Sequence, residues 1–179
     1  KKKKKISMLV VDVDSEGNVR ACLRVDEDRL NTLIAAEEGG EEALRGQVLK
    51  LMGRGHIAFT VDQGDEHERY QGIVSLEGAT LSECAEAYFR QSEQLETAFK
   101  LEVHQGEIDA DWWVGGLFLQ RLPVSASGDA ATPEEGEKVA EDWNRSKILM
   151  TSATETELVD ISLSAHDLIW RLFHDEEPP

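Results

Sequence analysis

Residues 70–95 read YQGIVSLEGATLSECAEAYFRQSEQL and pass from a strand, through a glycine-marked turn, into a capped amphipathic helix. Tyr70 to Leu76 carries the apolar, β-branched pattern of a strand, and Gly78 marks the turn. Thr80-Leu81-Ser82-Glu83 is a capping box, in which the Thr80 hydroxyl and the Glu83 carboxylate satisfy first-turn backbone donors. Leu81, Cys84, Ala85 and Tyr88 then recur at helical spacing, so the helix has one stripe to pack onto a sheet.

The strands around this segment come in pairs. Ile6 to Val13 is β-branched and apolar, as in a buried strand. Residues 14–18 form a turn, and Val19, Ala21, Leu23 and Val25 then alternate with Arg20, Cys22 and Arg24, which gives a hairpin with one covered face. Leu30, Leu33 and Ile34 suggest a short helical turn, followed by a solvated loop at Glu37-Glu38-Gly39-Gly40. His56 to Val61 alternates, with Ile57, Phe59 and Val61 on one side, and pairs through residues 63–68 with the strand from Tyr70. Thr97 to Val103 places Phe99, Leu101 and Val103 on one side. Its partner runs from Trp112 to Leu122, and Gly115-Gly116 within it suggests a bulge or a close backbone approach. The expected architecture is α+β, an antiparallel or mixed β-sheet core built from hairpins, packed by helices, with a C-terminal helical layer.

That layer is separate in character. Pro123 ends the last strand and residues 125–132 are a polar link, so the chain divides into a core at 1–124 and a helical segment at 125–179. Pro133 suits the first helical position, with Glu134 and Glu135 facing the helix dipole. Val139, Trp143 and Ile148 form the expected buried stripe. Residues 164–167 start a final helix with Leu168, Ile169, Leu172 and Phe173 apolar, and it breaks at Glu176-Glu177-Pro178-Pro179.

Composition narrows the partners. Nineteen basic side chains face 36 acidic ones, a formal charge of −17, and such a field repels phosphate backbones, so nucleic acid is not an expected partner. No apolar run approaches the roughly 20 residues that span a bilayer. The opening KKKKKISMLVVDVD lacks the features of a signal peptide, so a cytoplasmic protein without a membrane partner is expected. The lysine run itself is left out of the fold argument. The two cysteines, Cys22 and Cys84, are far apart and outside any Cys-X-X-Cys, which argues against a disulfide scaffold and against a metal cluster or other cofactor in this chain. Cys84 reads as a small buried hydrophobe and Cys22 as a half-exposed strand residue.

No enzyme emerges from the residues. His56 has no acid or nucleophile placed beside it by the sequence; a hydrolase pairing it with Asp62 would need a pocket joining the two. His67, among Asp65, Glu66 and Glu68, reads as part of a solvated hairpin tip. Gly53-Arg54-Gly55 precedes a strand and lacks the lysine and helix N-terminus of a phosphate loop. Trp112 and Trp113, as neighbours on a strand, point to opposite faces; burial under the C-terminal helices is the expectation, with exposure marking a protein contact.

Several motifs in order resemble a known family, the 33-kDa heat-shock chaperones, which are bacterial redox-regulated holdases. They are Leu51-Met52-Gly53-Arg54-Gly55-His56, Tyr70-Gln71-Gly72, Leu76-Glu77-Gly78, Tyr88-Phe89, Ser92-Glu93-Gln94-Leu95, Gly115-Gly116-Leu117-Phe118-Leu119-Gln120, and the run from Ile169 to Glu177. Two places depart from the pattern: Trp112-Trp113 stands where small residues are expected, and Glu96 where the family often has proline. The resemblance implies an α/β core, linker helices, and a zinc domain beyond them whose four cysteines form a redox switch. Those cysteines have no counterpart here, so no metal or redox residue carries over, and the chain resembles a fragment short of the family's ends.

The resemblance implies a holdase that binds unfolded or partly folded clients and can form a homodimer. The candidate client-binding or layer-packing residues are Trp113, Trp143, Ile148, Leu149, Leu168, Ile169, Trp170, Leu172 and Phe173. The expectation is that the helical layer packs on the sheet at rest, with residues 125–132 and 151–157 as weak points, and that uncovering it exposes the client surface. The alternative is an acidic adaptor or dimerisation module that binds one folded partner.

Overall fold

The computed structural model describes residues 4–16, 18–44, 46–62, 69–106, 112–122 and 133–176. His67 with its hairpin tip, the polar link at 125–132 and the closing Glu177-Pro178-Pro179 lie outside these residues. The chain falls into two compact units, Lys1–Tyr88 and Phe89–Pro179. The hairpin that ends at Gln120 therefore groups with the C-terminal helices, whereas the sequence reading parts them at 124.

In the first unit, β1 (Ile6–Val13) pairs antiparallel with β2 (Val19–Val25), with a bulge between Ile6 and Met8. Asp14 shapes the connection: its Oδ1 accepts from the backbone N–H groups of Glu16 and Asn18, both at 2.9 Å, the local bonding that suits aspartate to turns. The expected burial of β1 is not met, since Leu9, Val10, Val11 and Val13 are all exposed. A β-branched apolar run specifies a strand, but its burial depends on a partner that the run does not supply.

The short turn expected near Leu30 is the ten-residue helix α1 (Glu27–Ala36), capped by Asp26 and acidic in its first turn. A 3-10 turn (Glu42–Leu44) and α2 (Val48–Met52) follow; the sequence reading anticipated neither. Gly53, with φ 64°, turns the chain out of α2 into β3 (His56–Val61), which pairs with β4 (Tyr70–Ser75) from His56↔Ser75 to Val61↔Tyr70.

Helix α3 (Leu81–Tyr88) buries Cys84, Ala87 and Tyr88, and the Tyr88 ring lies 4.4 Å from that of Phe59. The stripe is rotated from the expected one: Leu81 is exposed and Ala87 takes its place. Thr80 caps as expected, its hydroxyl accepting from Glu83 N–H at 3.1 Å. The Glu83 carboxylate reaches one residue further back and accepts from Ala79 N–H at 2.6 Å.

The second unit opens on a wide π turn (Phe89–Glu93) that ends at Gln94, whose φ is 58°. Strand β5 (Thr97–Gln105) then pairs antiparallel with β6 (Trp112–Gln120) in unbroken register. Three helices complete it: α4 (Pro133–Thr151), with proline at its first position as expected, α5 (Glu155–Val159) and α6 (Ala165–Phe173). All three described hairpins are antiparallel, and with the helices they make an α+β fold.

Candidate functional site

The β5–β6 hairpin has two unlike faces. Directly opposed residues of an antiparallel pair share a face, so Ala98, Lys100, Leu117, Leu119, Gly115 and Trp113 lie on one side. Phe99, Leu101, Val103, Val114, Phe118 and Trp112 lie on the other.

The first face is the one the helices cover. Ala153, Leu168 and Leu172 form a buried cluster, with Leu117, Leu158, Leu163 and Phe173 packed around it. Leu168 and Leu172 are one helical turn apart on α6, which is capped by Ser164, whose hydroxyl accepts from Asp167 N–H at 3.1 Å. At Gly115 the backbone of α5 comes so close that a β-carbon would overlap the Leu158 carbonyl, so the glycine is a close approach and not a bulge.

Among the candidates, Leu168 and Leu172 are buried in this cluster, Phe173 is half-buried against it, and Trp143 and Leu149 are half-buried on α4. The expected packing of Ile148 and Ile169 is not met: they are 68% and 51% exposed. Ile148 lies nine residues after Val139, about two and a half helical turns on, and so faces the opposite side of α4. Met150 is buried in its stead. Trp170 is 60% exposed and stacks on the His174 ring at 4.3 Å. Trp113 is on the covered side by register yet 43% exposed, and Trp112 is exposed on the other side, so burial of this pair under the helices is not met either.

The second face contains the residues that alternation places together on one side of β5. Leu101, Val103, Val114 and Phe118 are exposed, with Val114 at 72%. Phe89, Phe99 and Phe118 form an aromatic group at its end, with centroid separations of 4.8 to 5.8 Å. Alternation correctly grouped Phe99, Leu101 and Val103, but the helices lie on the Lys100 side.

Polar contacts hold the helical layer together. Glu157 lies at the centre: it accepts from Thr154 N–H at 2.8 Å, and Arg171 of α6 reaches its two oxygens at 2.6 and 2.8 Å. The Thr154 bonds, and then Arg171, hold the Glu157 carboxyl below its usual range. Arg145 of α4 bonds Glu176 beyond α6, at 2.7 Å. From β5, Lys100 Nζ donates to the carbonyls of Thr151, at 2.8 Å, and Ala153. Residues 151–157, expected as a weak point, are thus densely bonded. The Thr154-X-X-Glu157 capping signature was present in the sequence and could have revealed α5.

Among the described residues, the one catalytic pairing considered from the sequence, His56 with Asp62, is not brought together. His56 and Asp62 stand six residues apart along an extended strand, about 20 Å, and Asp62 pairs with Arg69 at 2.5 Å. Among the described residues no three His, Cys, Asp or Glu side chains are grouped to hold a metal ion. Cys22 is exposed on β2, and Cys84 is buried in α3, where burial, with Glu83 adding to it, pushes its thiol pKa up. No described helix is long and apolar enough to cross a membrane.

Comparison with known proteins follows the same lines. The profile of the Hsp33 protein family matches residues 1–179. A 33 kDa chaperonin of Caulobacter vibrioides is 35% identical over 173 residues, covering 96% of this chain and 53% of the relative. The 33 kDa chaperonin of Salmonella typhimurium is 31% identical over 172 residues, covering 96% and 49%. The chain thus spans about half the length of these relatives. The crystal structure of a 33 kDa chaperonin from Thermotoga maritima has a similar fold, with a TM-score of 0.57, 17% identity, and coverage of 96% of this chain and 55% of that one.

Proposed function

The chain belongs to the Hsp33 family, and on that premise we propose that it is the client-binding part of a holdase chaperone, a non-catalytic protein that captures unfolding polypeptides and prevents their aggregation. The observation that carries this reading is the two-faced β5–β6 hairpin. Its outer face already presents Leu101, Val103, Val114 and Phe118 to solvent, and its inner face is covered by a helical layer. Exposed contiguous apolar surface is what an unfolded chain can bind, and the net charge of −17 keeps such a protein soluble. Redox control through zinc, as the family resemblance implies, would operate through residues other than the two cysteines of this chain.

The test is light scattering of a chemically unfolded enzyme diluted into the protein, with and without peroxide. Equal suppression of scattering in both conditions is expected. Absence of suppression in both, with a saturable one-to-one complex to a folded protein, would overturn the holdase reading in favour of an adaptor.

A further inference from the structure

The last turn of α4 contains no basic residue. A helix C-terminus concentrates unsatisfied carbonyls and partial negative charge, and a cation there is stabilising. At the end of α4, Thr151 and the following Ser152 return their hydroxyls to the carbonyls of Ile148 and Leu149. The cation comes from another element: Lys100 of β5 reaches across the covered face and donates to Thr151 O and Ala153 O. Ala153 is 2% exposed and is part of the buried cluster with Leu168 and Leu172. The neighbouring position on the same face, Gly115, admits the α5 backbone. One ammonium therefore sits at the joint where α4 ends, α5 begins and the α6 cluster is anchored.

We propose that Lys100 is the positioning residue that clasps the α4–α5 junction to the hairpin and so keeps the helical layer closed over its inner face. The proposal rests on the reading of that layer as a cover. Loss of the ammonium leaves two carbonyls beside a buried alanine without their donor, and the layer lifts as a unit because Glu157 and Arg171 tie α5 to α6.

The experiment is amide hydrogen exchange by mass spectrometry on the chain with Lys100→Met and Lys100→Arg, paired with aggregation suppression. Lys100→Met is expected to raise exchange across residues 153–173 by about tenfold or more, since even one of the two charge-assisted hydrogen bonds is worth that much, with β5–β6 and residues 6–88 unchanged. Lys100→Arg should restore protection. Unchanged protection in Lys100→Met overturns the proposal. If Lys100→Met exchanges faster everywhere, the milder Lys100→Gln decides: a rise confined to 153–173 supports the clasp, and a uniform rise overturns it. A confined rise without any gain in aggregation suppression upholds the clasp and refutes the reading of the layer as a cover for client-binding surface.

Discussion

Cys84 and Cys22 carry the same thiol into opposite surroundings. Cys84 is fully buried in α3, with its sulfur 3.8 Å from the Gly78 carbonyl. Gly78 itself has φ 134° and sits so close to Glu83 and Cys84 that a side chain there would collide with the helix start. Cys22 is exposed on β2. A charged aromatic disulfide reagent should therefore titrate one thiol in the native protein and two only in denaturant; native reaction of both would contradict the burial of Cys84. The seat of Cys84 was legible because it is set by helical spacing. The exposure of Leu81 was not, because a first-turn residue is covered only if another element passes over the helix end.

At the scale of single elements, caps decide more than propensity. Helix α5 has five residues, too short to persist alone. It exists because Thr154 and Glu157 close a reciprocal capping box and Arg171 clamps the same carboxylate. Thr154→Ala should cost about 1 kcal/mol in chemical denaturation, the usual loss for a removed cap. The pH response has a definite sign. Glu157 is held below its unfolded value of about 4.3, so its contribution is complete above that value and is lost as the pH falls through the folded pKa. Exchange protection of α5 and α6 should fall as the pH drops below the ordinary carboxylate range, and Glu157→Gln should flatten this dependence. An unchanged acid profile in Glu157→Gln would show that another group governs the layer.

Across the described residues, three antiparallel hairpins are joined with helices into two compact units. The second unit leaves an apolar sheet face open on the side away from its helices. Substitution of Val103 by lysine places a charge on that face at a residue that buries little, so stability should change by no more than about 0.5 kcal/mol. Aggregation suppression should nevertheless drop if clients bind there. Full suppression by Val103→Lys would move the client surface to another face. The five-residue turn at Phe89–Glu93 bears on this, because it brings Phe89 against Phe99 and Phe118 at the edge of the open face.

The sequence by itself determined the strands, most of the helices, the glycine turns and the family, because periodicity, caps and motif order are local properties of the chain. Tertiary structure decided which side of each strand is covered. Alternation in β5 groups Phe99 with Leu101 and Val103 but is silent on whether a helix arrives on their side or on that of Lys100. The same applies to β1, whose apolar run remains exposed, and to Ile148 and Ile169, which turn outward. Lys100 shows the limit most clearly. Within the strand it is one polar residue in an alternating pattern, and only the arrival of the α4 C-terminus, about 50 residues later in the chain, makes its charge a structural bond.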